Sequence, residues 1–487
     1  MKAKQTFSLI ILLSLVLAAC QTTAAPLPST PGTSAPDAAG PVTPLPLASP
    51  ASNSTQEAEP GPTPTATVAP VQIQADPEEL RGMVIQFWHP WSGAEEQTFA
   101  DLVYEFNTTN LWGIFVDPVA MGGTGGVYES VTTNLAEYAP IPHVVAAPIE
   151  QLNTWQQTDQ IIIDLMPYIH STEYGLTSDQ LNDFQSVFWE QDKIDEHQLG
   201  IPIQRTARVL FYNQSWAQEL GFANPPATST EFQAQSCAAA QALLDDDDTL
   251  NDGLGGYITN IDPLTTLSWM LAFEADLPDL DFEDYSFNSD EMKDMFTFQR
   301  AMFDEGCAWN SRLPEPYTYF ANRQTLFYSG TLQDLTAQAQ ESRRQGNPDN
   351  WIILPFPGPD GEQGVLAYGP SLGILAASPE EQLASWLFIR WLSVPRNQVE
   401  LVESSNSLPV SQTAVQMLGQ YQRRFPQWAA ALDWIEDSQP APRAAEWRIA
   451  RRMLEDLTWQ VYEPYVIPSD FPQYLSEIDE MMEELFD

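Results

Sequence analysis

Residues Met83-Val-Ile-Gln-Phe-Trp-His-Pro-Trp-Ser-Gly93 decide the fold class. The apolar run to Trp88 is too short for a helix and ends in a His-Pro break, so it reads as a buried strand. Beyond Gly93 the period changes: Phe99, Leu102, Val103 and Phe106 fall at i, i+3, i+4 and i+7, one face of a helix. Residues 113–118 read as the next strand. A helix carrying Val127, Val131 and Leu135 follows, and then a strand at residues 143–146. Alternating strands and helices at this spacing predict an α/β fold, with a parallel sheet covered by helices on both faces. Further along, strands are expected at residues 208–212, 351–354 and 373–376, and helices at 229–244, 290–305 and 381–392. Ser289 caps the second of these helices. Ser378-Pro-Glu-Glu381 is a capping box with proline at the first helical position, and it opens the third.

Upstream, Lys2 and Lys4 precede an apolar run from Phe7 to Ala19, the layout of a secretory signal over residues 1–19. Leu17-Ala-Ala-Cys20 resembles the bacterial lipobox, which implies a lipid thioether on Cys20. Residues 21–70 are rich in Pro, Thr, Ala and Ser and hold no aromatic residue, Lys or Arg. Such a stretch cannot bury enough surface to offset chain entropy, so residues 20–80 read as a disordered tether. The body that follows is long enough for two lobes with separate cores. The 487 residues carry 20 basic against 66 acidic side chains, a formal charge of -46. That balance argues against nucleic acid and against anionic lipid surfaces as partners. With Cys20 taken by lipid, Cys237 and Cys307 remain. They either pair, as an oxidising compartment allows, or stay as buried thiols.

Four segments, in order, resemble the family 1 extracellular solute-binding proteins, the group of the maltose-binding and glycerol-3-phosphate-binding proteins. They are Val84 to Gly93, the stretch Gly200-Ile-Pro-Ile-Gln-Arg-Thr-Ala-Arg-Val-Leu-Phe-Tyr-Asn213, the run from Tyr368 to Pro395, and Ser407-Leu-Pro-Val410. The resemblance implies a two-lobed, type II periplasmic-binding-protein-like fold with a ligand cleft between hinged lobes. Residues 81–206 with 366–412 would form lobe 1, and residues 207–365 with 413–487 lobe 2. It also implies a lipid-anchored monomer outside the cytoplasm that captures a small polar ligand, a sugar or polyol, for ABC permease subunits. No cofactor, metal or catalysis is expected.

A sugar site needs aromatic platforms and planar hydrogen-bonding groups. Trp88, His89 and Trp91 end the first strand, where open α/β sheets place ligand contacts. Tyr128 and Glu129 follow the glycine-rich loop 122–126, where the resemblance implies a carboxylate for ligand hydroxyls. Arg205 lies in the hinge, either reaching ligand or forming a salt bridge. Trp269 is expected to lend a second-lobe wall, Tyr368 and Gly369 a backbone approach, and Arg443 a donor before the last helices. Each of these residues has ordinary packing as its rival role. Gly369-Pro-Ser-Leu-Gly373 spells a hydrolase elbow, but a strand rather than a helix follows Ser371. The four histidines show no metal spacing, and the acidic run 245–253 misses the calcium-loop pattern. The rival functions are a surface-anchored carbohydrate hydrolase and a sensing subunit for a membrane receptor.

Overall fold

The computed structural model describes residues 72–278 and 285–486; the signal segment and Cys20 lie outside them. The body starts earlier than residue 81. Pro77–Leu80 forms a 3-10 turn capped by Asp76, and Leu80 is wholly buried, so the tether's last residues belong to the folded part.

Two sheets carry the architecture. The first has five strands in the order Phe115–Ala120, Val84–His89, Val144–Ala147, Ser371–Ile374 and Ile201–Pro202. The first three run parallel, and Ser371–Ile374 is antiparallel to its neighbours. Alternation along Val84–His89 sends Ile85 and Phe87 to one face, under the helices Gly93–Thr109 and Pro379–Leu392. Trp88 goes to the other face, under Thr124–Ala136 and Ile149–Asp159. The second strand starts at Phe115 rather than 113 because Gly113 sits at φ 74°, which no strand residue adopts.

The second sheet has seven strands around Thr206–Tyr212, every residue of which is buried. Phe327–Thr331 pairs with it antiparallel, and Tyr257–Ile258 and Ala308–Trp309 continue outward in parallel. On its other edge sit Leu366–Tyr368 and Ile352–Leu354. The chain therefore passes from the first sheet to the second near Arg205 and returns near Gly369. It passes the hinge a third time at Leu408, whose N–H donates to the Arg205 carbonyl.

The cores are not separate. One cluster runs from Phe87 and Phe106 through Ala207, Val209 and Phe211 to Trp351, Trp428 and Ile435. The cause is the inner face of Thr206–Tyr212: its odd-numbered residues join the first lobe's apolar face. The second lobe keeps its own cluster on the opposite face, around Leu210, Phe232, Trp269 and Phe296. A disulfide joins Cys237 to Cys307 within this lobe, with Cα atoms 4.3 Å apart. Among the described residues no helix is long and apolar enough to cross a membrane.

Candidate functional site

The end of the first strand is a packing centre. Trp88 is buried among Val127, Val145, Leu152 and Trp155. His89 is also buried, within 5.4 Å of Trp91, and burial lowers its pKa to about 4, so the ring is neutral. Trp91 lies flat on Phe99, ring centres 3.4 Å apart, and its Nε1 donates to Gln204 Oε1 at 2.7 Å. None of the three presents an open face as a platform. His89 and Trp91 turn toward Phe99 of helix Gly93–Thr109, and Trp88 is covered on the opposite face of the sheet by Thr124–Ala136 and Ile149–Asp159. Trp269 is buried likewise, ringed by Phe232, Tyr257, Phe273, Phe298 and Phe356. Its helix, Pro263–Ala272, is covered on nearly all sides.

Arg205 resolves as a hinge clamp. Its Nε donates to Gln191 Oε1 at 2.9 Å, Nη1 to the carbonyls of Gln204 and Pro370 at 3.0 Å, and Nη2 to Asp192 Oδ1 at 2.8 Å and Ser371 Oγ at 3.0 Å. No donor is left for a ligand. Gly369 belongs to the same crossing: a side chain there would meet the Gln204 carbonyl oxygen at 2.3 Å. Ser371 is fully buried and donates to Asp192 Oδ2 at 2.6 Å, so its hydroxyl faces a carboxylate in the hinge. Arg443 binds backbone too, donating from Nη1 to the carbonyls of Glu190 and Lys193 at 3.0 and 2.7 Å.

Between the sheets, side chains meet across the crevice. Glu95 Oε1 accepts from Gln204 at 3.0 Å and from Gln333 of the second lobe at 3.2 Å. Asn153 Nδ2 donates to the Arg443 carbonyl at 3.0 Å. Tyr128 stacks on Trp155, and the Arg448 guanidinium lies 5.2 Å from its ring centre. Glu129, beside it, is exposed. The buried carboxylate is Glu150 instead, in the first turn of Ile149–Asp159. Burial pushes it up to about 7, with the Arg451 charge pulling the other way.

On the second-lobe side the half-buried Tyr368 sits near Arg208, and burial lifts its hydroxyl to about 12. Arg208 is buried and paired with Asp262, the N-cap of Pro263–Ala272. Arg208 Nε and the Thr206 hydroxyl, on the same face of their strand, are buried with no hydrogen-bond partner among the described residues. Beyond Asp262, the parallel strands 257–258 and 308–309 end in Thr259, Asn260, Asn310 and Ser311. These line a cavity of about 380 Å³ with Trp459, half of whose surface is open. That volume falls in the small-ligand range of about 300–1,000 Å³, and an indole beside amides and hydroxyls suits a sugar's mixed surface.

Sequence reasoning missed Trp459, Asn260, Arg208, Asp262 and Glu150. Trp459 carried a signal: on helix Trp447–Val461 it falls at the spacing of the polar residues Arg448, Arg452 and Asp456. An indole there is out of place for packing alone. Glu150 carried none, since an acid in a first helical turn is ordinary.

The family described as bacterial extracellular solute-binding protein matches residues 101–430. A comparison with curated protein sequences gives no match. Among solved structures, the sugar-binding protein MalE of Xanthomonas citri superposes with a TM-score of 0.68 at 22% identity, covering 82% of this chain and 97% of that one. The cyclic alpha-maltosyl-1,6-maltose binding protein of Arthrobacter globiformis gives 0.68 at 16%, covering 82% and 99%. UgpB of Mycobacterium tuberculosis, in complex with glycerophosphocholine, gives 0.69 at 16%, covering 83% and 98%.

Proposed function

Because this chain belongs to the bacterial extracellular solute-binding protein family, we propose that it captures a sugar or sugar-like molecule and delivers it unaltered to the permease subunits of an ABC importer. The ligand lies at the carboxyl ends of the second-lobe strands, against Trp459, with Asn260 and Asn310 reading hydroxyls and Arg208, Asp262 and Tyr368 at the crevice floor. First-lobe contacts come from Glu95, Glu150 and Tyr128 as the lobes draw together, excluding water and strengthening each hydrogen bond. The observation that carries the reading is the half-open Trp459 indole beside convergent amides at the strand ends. The names of the similar structures favour the ligand class: one is a cyclic alpha-maltosyl-1,6-maltose binding protein, one a sugar-binding protein, and one is in complex with glycerophosphocholine.

The test is a thermal-shift panel of mono- and oligosaccharides, polyols and phosphodiesters. A true ligand at a hundredfold its Kd stabilises by about 2.7 kcal/mol. Trp459→Ala should weaken the same ligand by about tenfold, as removal of a central aromatic anchor does. A panel without any shift, or equal affinity in the variant, refutes the ligand class or its placement respectively. The protein acts as a monomer held outside the cytoplasm by lipid on Cys20. Cys20→Ser should move it from the membrane to the soluble fraction on fractionation of the cells.

A further inference from the structure

We propose a second binding site, for a small organic anion, on the hinge side, where helix Asp334–Gln345 meets residues 424–428. A cavity of about 360 Å³ there is lined by Arg343, Arg424, Trp351, Phe425, Trp428 and Asn406. Basic side chains are scarce in this chain, 20 against 66 acidic, and Arg205, Arg208, Arg300, Arg323, Arg344 and Arg396 are all ion-paired. Arg343 and Arg424 are two of the several arginines that form no ion pair among the described residues, and both line this one cavity. The carboxylate in its wall, Asp349, is committed to Arg323 at 2.6 and 2.7 Å and to Asn213 at 2.7 Å. Nearby Glu341 is held by Arg344. The Arg424 guanidinium lies 5.1 Å from the Phe425 ring centre, which sets it over an apolar floor.

Two guanidinium forks suit a carboxylate or phosphate, and the indole and phenyl walls suit the carbon frame that carries it. The position gives the site a consequence. Asn406 ends helix Pro395–Ser405 in the left-handed region at φ 57°, and its Nδ2 donates to Thr336 Oγ1 at 2.9 Å. Tyr421 donates to its Oδ1 at 2.6 Å. An anion here ties together the elements on either side of the third passage through the hinge.

The test is calorimetric titration of the full chain at low salt with citrate, inorganic phosphate and glucose 6-phosphate, and with glucose as the neutral control. At least one anion should bind, with affinity falling as sodium chloride rises. The double variant R343Q/R424Q should lose about tenfold or more, while Trp459→Ala keeps the anion affinity. Both arginines are exposed, so the double variant should fold, and its unchanged melting temperature without ligand checks this. Absence of binding by all three anions overturns the proposal. So does equal affinity in the double variant, or loss of anion binding in Trp459→Ala, which would place the anion in the crevice.

Discussion

The Arg205 side chain ties residues 188–192 to two crossings of the hinge, at residue 204 and at 369–371, because a guanidinium presents five N–H groups in a fixed plane. Its partners come from residues 188–192, 204 and 369–371, and its own carbonyl receives the Leu408 N–H. Arg205→Met would leave Asp192 charged and buried without its partner, costing about 3–5 kcal/mol. Arg205→Lys keeps the charge but not the fork, and should lose less. Urea denaturation of both, with sugar affinity measured on the folded fraction, separates the roles. Stability should drop while affinity stays within about twofold; affinity lost in step with stability would return Arg205 to the ligand site. Glu150 behaves in the opposite sense. Burial raises its pKa from 4.5 unfolded to about 7 folded, so the folded state holds a proton that the unfolded state has released. Its contribution to stability is fully present below pH 4.5, declines as pH rises, and levels off above about 7. Glu150→Gln should therefore match the wild type near pH 4.5 and exceed it at pH 8, by at most about 3 kcal/mol. Denaturation midpoints across that range check the sign, and a wild type that gains on the variant as pH rises would mean the Arg451 attraction outweighs desolvation.

At the scale of elements, sequence reading works where the cause is local. The strand at Val84–His89 follows from its apolar run, helix Asp290–Asp304 from its stripe and the Ser289 cap, and the box of Ser378 and Glu381 from spacing alone. It fails where the cause is remote. Trp88 and Trp269 stand where ligand contacts are expected, but segments distant in sequence cover them, and only the assembled packing reveals that. The crevice contacts join residues as far apart as Asn153 and Arg443, 290 positions along the chain; no local pattern encodes such a meeting. The disulfide is an intermediate case, since the compartment argues for pairing and only the fold brings Cys237 to Cys307. It closes a loop of 70 residues, which in the chain-entropy account stabilises by about 4 kcal/mol. The double variant C237S/C307S should lose stability of that order in equilibrium denaturation. A loss under about 1 kcal/mol would mean that the helices Ser229–Leu244 and Asp290–Asp304 hold the loop closed without it.

For the whole molecule, function turns on the balance between open and closed lobes. The core is continuous along the hinge side, through Val209, Phe211, Trp351 and Trp428, so motion is confined to opening the far side of the crevice. What holds that side shut is a short set of contacts: the Glu95 to Gln333 hydrogen bond, the Asn153 bond to the Arg443 backbone, the Arg443 side-chain bonds to the Glu190 and Lys193 carbonyls, and the Arg448 cation over Tyr128. Each exists only when the lobes touch, so removing one favours the open state by the strength of that contact. An exposed cation–π pair is worth about 0.5–1 kcal/mol. Ligand binds the closed form, so its affinity falls by the same factor as the closed population, which is at most the factor by which the open–closed equilibrium shifts. Arg448→Ala should therefore raise the ligand Kd by up to about fivefold, mainly through faster release, although Arg448 need not touch the ligand. Small-angle scattering of the ligand-free variant should show a larger radius of gyration, and saturating ligand should restore the wild-type value. A weaker Kd with an unchanged ligand-free radius would assign Arg448 to direct contact with the ligand instead of to closure.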